Sequence, residues 1–172
     1  MKLDEALDLI AEVPDFPEPG VLFRDLSPLF ADGPGFAAVA DALANTLDPA
    51  TDLVAGVEAR GFLLAAAVGY SRGMGVVLVR KPGKLPSVAG RVDYSLEYGT
   101  ASVELPANVV KPGQRIAVMD DVLATGGTVA ATAKLLEDAG ATLTGVSVVL
   151  ELAALNGRAA LDGRTVHTLR TV

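Results

Sequence analysis

The chain has 172 residues, no cysteine, 51% hydrophobic residues and a formal net charge of −7. That length suits one domain, residues 1–172, with a full core, and the missing cysteines exclude disulfides and thiolate metal sites. So acidic a chain lacks the basic surface that drives non-specific nucleic-acid binding. No apolar run reaches the roughly 18 residues of a membrane span, and the acidic, amphipathic start MKLDEALDLIAEV has no leader pattern. The expected compartment is the cytoplasm, with neither membrane nor nucleic acid as a partner.

In chain order, Leu3, Leu7, Leu9 and Ile10 predict a short amphipathic helix over residues 3–12. The prolines of Pro14–Pro28 bar a helix there. Phe36–Leu47 is a second helical stretch, entered through Asp32-Gly33-Pro34-Gly35. From Asp52 onward strands and helices alternate. Leu53–Val57 is an apolar strand, Phe62–Tyr70 a helix closed by Gly73–Gly75, and Val76–Val79 the next strand. Residues 82–105 read as irregular or hairpin-like. Lys111-Pro112-Gly113 turns into a buried strand, Ile116–Met119. The helix after Gly127 shows Val129, Ala133, Leu136 and Ala139 on one face, with Gly140 at its C-cap. Leu143–Leu152 is a long strand, and residues 164–172 form a polar tail. That tail carries the single histidine, His167, which reads as structural or solvated. Short apolar strands alternating with helices predict an α/β fold: a central, mainly parallel sheet with helices on both faces. Ligands of such sheets bind beyond the strands' C-terminal ends.

The chemistry concentrates at Ile116–Thr128. An apolar strand runs into two adjacent carboxylates, Asp120 and Asp121, and then into Ala124-Thr125-Gly126-Gly127-Thr128 at the opening of a helix. Glycines let backbone N–H groups turn toward an anion, the helix N-terminus adds partial positive charge, and the threonines offer hydroxyl donors. A phosphate suits this loop. Two acids just upstream would repel it unless they meet sugar hydroxyls or magnesium. The loop lacks the Gly-Lys-Ser/Thr of a Walker loop and the G-x-G-x-x-G of a dinucleotide fingerprint. A second feature is Arg80–Lys84 (RKPGK), the densest basic cluster of an acidic chain.

Val118–Thr128 resembles the PRPP-binding motif of the type I phosphoribosyltransferases. Residues 15–28, 56–62, 79–86 and 94–99 extend the resemblance across nearly the whole chain to the adenine phosphoribosyltransferase family. The resemblance implies a type I phosphoribosyltransferase fold, residues 1–30 forming most of a small N-terminal hood over the base site. It implies a purine-salvage enzyme: N9 of adenine attacks C1 of PRPP, giving AMP and pyrophosphate through an oxocarbenium-like transition state. By that likeness Asp120 and Asp121 hold the ribose hydroxyls and favour the growing positive charge, and Ala124, Thr125, Gly126, Gly127 and Thr128 hold the 5-phosphate. Arg60, Lys81, Lys84 and Tyr98 face the pyrophosphate, with Arg60 also counted among the catalytic groups. A non-proline cis peptide is expected at Glu58–Ala59. Glu97, in a segment that resembles the family's mobile catalytic loop, accepts a proton from adenine or orients the base. Leu22, Phe23 and Arg24 meet the adenine, although Val21–Phe23 could equally be core packing. Magnesium enters with PRPP and has no direct protein ligand, and a homodimer is typical of the family.

Three other readings compete, of which an orotate enzyme should need more basic groups for its substrate's carboxylate. The 6-oxopurine transferases use a lysine beyond the loop to recognise O6, whereas residues 135–172 contain no lysine here. A non-catalytic, nucleic-acid-binding regulator of the same fold would need a basic surface, which the charge balance withholds. Residues 87–92 match nothing specific.

Overall fold

A computed structural model of the chain describes residues 1–95 and 99–172. They form two units, Met1–Ala42 and Leu43–Val172.

The first unit opens with helix α1 (Leu3–Leu7), followed by β1 (Ala11–Pro14) and β2 (Leu22–Asp25), which pair antiparallel. Helix α2 (Ser27–Ala31), which starts inside the proline-rich stretch because Pro28 falls in its first turn where no N–H is needed, and the start of α3 (Gly33–Ala44) complete it. The first helix is shorter than its apolar spacing predicts. It ends at Leu7, because the chain from Ala11 is drawn into the ladder with β2, where Ala11 faces Asp25. Tertiary pairing overrides local periodicity here.

In the second unit β3 (Leu53–Val57), β4 (Gly75–Val79), β7 (Arg115–Leu123), β8 (Thr142–Glu151) and β9 (Val166–Thr171) form one sheet in the order β4-β3-β7-β8-β9, with every pairing parallel. Helix α4 (Arg60–Arg72) links β3 to β4, and α5 (Gly127–Asp138) links β7 to β8. The two crossovers step in opposite directions along the sheet. Right-handed connections therefore lay α4 and α5 on opposite faces. Burial on both faces explains why Val54–Val57 and Gly145–Glu151 are unbroken buried runs rather than alternating ones. The core joins Val57, Val79, Ile116, Val118, Leu123, Leu136, Val146 and Val148.

Residues 82–105 resolve into a hairpin, β5 (Val88–Ser95) with β6 (Thr100–Pro106), tied to the end of β4 by an antiparallel bridge between Arg80 and Glu104. Two strands are longer or newer than predicted. β7 runs on through both aspartates to Leu123, and the polar tail is strand β9, a parallel edge to β8. His167 is half-buried there, opposite Ser147. Among the described residues no helix is long and apolar enough to cross a membrane.

Candidate active site

The sheet order reverses between β3 and β7, which are hydrogen-bonded neighbours whose crossovers leave in opposite directions. Such a switch point opens a crevice at the strands' carboxyl ends. β3 pairs with β7 only as far as Gly56 opposite Met119, whereas β7 stays paired with β8 out to Leu123 opposite Glu151. Past Met119, therefore, β7 has lost its β3 neighbour, and there the chain places Asp120 and Asp121. The Asp121 N–H donates to Asp120 Oδ1 at 2.9 Å. Desolvation, and then the neighbouring Asp121 charge, push the Asp120 carboxyl well above its ordinary value. Two carboxylates this close resist ionising together.

Arg60 opens α4 and brings its Nε to 2.5 Å from Asp121 Oδ2. This buried oxygen has an ionic neighbour but no hydrogen-bond donor. An acceptor so placed suits a hydroxyl or a hydrated cation. Glu58, two residues before Arg60, pairs with Arg80. Gly61 permits this close approach of α4. A Cβ there would fall 2.7 Å from the Met119 carbonyl oxygen and 3.1 Å from Asp120 Oδ1. The Glu58–Ala59 peptide is cis, as the family resemblance implies.

Immediately after β7, residues 124–129 line a cavity of about 80 Å³ together with Asp120, Val122 and Leu123. Gly126, at φ +82°, caps α5, whose first-turn N–H groups have no acceptor within the helix. Thr125, Gly127 and Thr128 border the same cavity. It is built for an anion. The loop rests on a turn that sequence reading missed. A Cβ on Gly126 would lie 2.3 Å from the Gly157 carbonyl oxygen, and one on Gly157 would lie 2.3 Å from that of Ala124. The turn is fixed by Arg158, whose Nε donates to both Glu151 oxygens at 2.8 and 2.9 Å and whose Nη1 donates to the Val166 carbonyl at 3.1 Å. Asn156-Gly157 is a legible turn signal, but nothing in it names the loop it supports.

The basic segment Arg80–Lys84 follows β4, and two acids hold its backbone. Glu58 accepts the Lys81 N–H at 2.8 Å and Arg80 Nε at 3.3 Å; Glu104 accepts the Gly83 N–H at 3.3 Å. The Lys81 N–H, opposed by partial burial and helped by Arg80, holds the Glu58 carboxyl below its usual range. Lys81 and Lys84 are exposed.

Arg60, Asp120, Asp121 and residues 124–128 thus gather around the end of β7. Leu22, Phe23 and Arg24 lie on β2 in the first unit, where Leu22 is exposed, Phe23 packs edge-on against Phe16 at 5.1 Å and Arg24 pairs with Glu12. Glu97 and Tyr98 lie outside the described residues.

Residues 29–163 match the phosphoribosyl transferase domain family. An adenine phosphoribosyltransferase of Saccharopolyspora erythraea is 58% identical over 170 residues, 99% of this chain and 92% of the relative. The crystal structure of adenine phosphoribosyltransferase from Thermoanaerobacter pseudethanolicus superposes with a TM-score of 0.95 at 43% identity, covering 99% of this chain and all of that one. The Saccharomyces cerevisiae enzyme, solved with an imino-altritol bisphosphate and adenine, gives a TM-score of 0.93 at 35% identity and covers 98% of each chain. An acid pair at a switch point, an anion loop directly after it and these full-length likenesses agree: the chain belongs to the phosphoribosyl transferase domain family and, within it, to the adenine phosphoribosyltransferases.

Proposed function

We propose that the chain transfers the 5-phosphoribosyl group of PRPP to adenine, forming AMP and releasing pyrophosphate, in the cytoplasm and as part of purine salvage. The observation that carries this reading is the acid pair at the open edge of β7, one step before an anion-binding loop. A ribose 5-phosphate seated there has its phosphate on residues 124–128 and its hydroxyls toward Asp120 and Asp121. The bond from C1 to pyrophosphate breaks as N9 attacks, so positive charge grows on the sugar beside two carboxylates while negative charge leaves. Fixed opposite charge at that point lowers the barrier. Arg60, Lys81 and Lys84 take the departing anion. Leu22, Phe23 and Arg24 meet the base, and Glu97 accepts its proton or orients it; Tyr98 helps to exclude solvent.

Two carboxylates offer a magnesium ion only a partial shell, and among the described residues no group of three or more acidic or histidine side chains is arranged to hold a metal ion. A magnesium ion carried by PRPP phosphates would meet Asp120 or Asp121 through water, and when bound it neutralises pyrophosphate charge. Pyrophosphate release from PRPP, measured with each nucleobase in turn, tests the reading. Adenine alone should support rapid turnover; turnover only with guanine or hypoxanthine would overturn it.

Lys84→Ala should raise the KM for PRPP about 10- to 100-fold, the worth of a charge-assisted contact. AMP lacks the pyrophosphate, so its Kd should stay within about twofold, as isothermal titration would show. Equal losses for both ligands would remove Lys84 from the pyrophosphate subsite.

We propose a homodimer through α4 and the edge strand β4. Leu63 and Tyr70, two turns apart on α4, are 49% and 90% exposed, and Leu78 on β4 is 40% exposed. Large apolar side chains left exposed on a helix and an edge strand suit a partner surface. Sedimentation should give a dimer that Leu63→Glu with Tyr70→Glu converts to monomer; a monomeric wild type would refute the assignment.

A further inference from the structure

Strand β5 passes the anion loop, and Tyr94 touches that loop at two points. Thr128 Oγ donates to the Tyr94 hydroxyl at 3.0 Å. The ring also lies against Gly127, where a Cβ would come within 3.2 Å of Tyr94 Cδ2. Tyr94 is held in place by its surroundings. It is half-buried against the central core, and its strand is locked in register with β6, Tyr94 opposite Ala101 and Ser95 opposite Thr100. Its hydroxyl therefore sits at a fixed point beside the first turn of α5.

A phenol hydroxyl can donate one hydrogen and accept others, and so can a threonine hydroxyl. In the free chain Thr128 spends its only hydroxyl hydrogen on Tyr94. An anion in the loop needs that same hydrogen. Both demands are met if the hydrogen bond reverses: Thr128 donates to the anion, and Tyr94 donates to Thr128 Oγ across the same contact. The reversal needs two hydroxyl rotations and a small change of angle at the Tyr94 oxygen, because in the free chain only the Thr128-to-Tyr94 direction has hydrogen-bond geometry. A relay of this kind also polarises the outer donor, strengthening its bond to the anion.

We propose that Tyr94 is a positioning residue of the 5-phosphate subsite, orienting the Thr128 hydroxyl toward the phosphate by donating to Thr128 Oγ when the loop is filled. This rests on the assignment of residues 124–128 to the 5-phosphate and adds a group from the hairpin. The role is specific to one end of the substrate. Tyr94 acts on the 5-phosphate through Thr128 and leaves the pyrophosphate and base contacts alone.

The test is a double-mutant cycle in Tyr94→Phe and Thr128→Val, read by calorimetric Kd values for ribose 5-phosphate and for pyrophosphate, with Tm as a check on folding. Tyr94→Phe keeps the ring and its packing. It should weaken ribose 5-phosphate about 3- to 10-fold, leave pyrophosphate unchanged, and raise the KM for PRPP more than it lowers kcat. In the Thr128→Val background it should have no further effect, because the hydroxyl it orients is gone. Unchanged ribose 5-phosphate binding in Tyr94→Phe, or the same loss with and without Thr128, would overturn the Tyr94 role while leaving the subsite assignment intact. Unchanged binding in Thr128→Val would sink the role of that hydroxyl in the subsite, and the Tyr94 relay with it.

Discussion

Asp121→Asn is expected to cut kcat by about 100- to 1,000-fold, the cost of losing one fixed charge aimed at the reacting centre. The folded chain should survive it, since Asn keeps the shape of a side chain that already lacks a hydrogen bond at Oδ2. Steady-state turnover with saturating adenine and PRPP measures the effect; near-normal kcat would remove the carboxylate from the mechanism. The neighbouring change, Asp120→Asn, should lower turnover as well but raise stability. Because burial and the Asp121 charge lift the Asp120 carboxyl well above its ordinary value near 3.8, the folded chain binds this proton more tightly than the unfolded chain does. Ionised Asp120 therefore opposes folding at neutral and alkaline pH, and the penalty fades as pH falls through the raised value toward 3.8. In Tm the variant should lead the wild type by a few degrees at neutral pH, where about 1 kcal/mol corresponds to about 2–4 °C in a chain of this size. That lead should shrink on acidification. A lead that grows toward acid pH would reverse the assigned sign.

Gly126→Ala has the largest expected structural effect. At φ +82° a side chain costs about 1–2 kcal/mol. The added methyl would also lie 2.3 Å from a backbone carbonyl at Gly157, which cannot swing aside as a side-chain tip could. Overpacking of that kind costs about 1–3 kcal/mol more. Thermal unfolding should fall by roughly 5–15 °C, and ribose 5-phosphate should bind at least 10-fold more weakly than to wild type at a temperature where both are folded. Wild-type Tm and affinity together would show that the loop is not seated on the 156–158 turn.

The strands buried on both faces were the most legible part of the fold. Leu53–Val57 has the same limits in sequence and structure, because an uninterrupted apolar run bounded by Asp52 and Glu58 has little other use. Strand β9 was illegible for the opposite reason. An edge strand pairs on one side only, and Val166–Thr171 mixes polar and apolar residues that are nearly all half-buried, so no period emerges. Charge hid the end of β7: Asp120 and Asp121 read as the strand's end, yet backbone pairing with β8 ignores side-chain type and continues to Leu123. Within the site, the anion loop could be read because glycines and a helix start act on their nearest neighbours. Its support could not. The contact between Gly126 and Gly157 joins residues 31 apart through backbone atoms alone, and a glycine pair without side chains leaves no complementary pattern to notice. Glu104 behaves similarly: in the sequence it is one acid among many, while in the fold it holds the Gly83 N–H.

The 156–158 turn also bears on the order in which activity can arise during synthesis. Strand β7, the loop and α5 are all present once residue 138 has been made. The loop's floor is not, because Gly157 lies beyond β8 and Arg158 is tied to the Val166 carbonyl on β9. Contacts between distant parts of a chain form only after the loop between them has closed. A nascent chain stopped short of residue 157 would carry the whole loop sequence without the turn it rests on. Phosphate affinity is thus expected to arise only after the turn beyond β8 has been made.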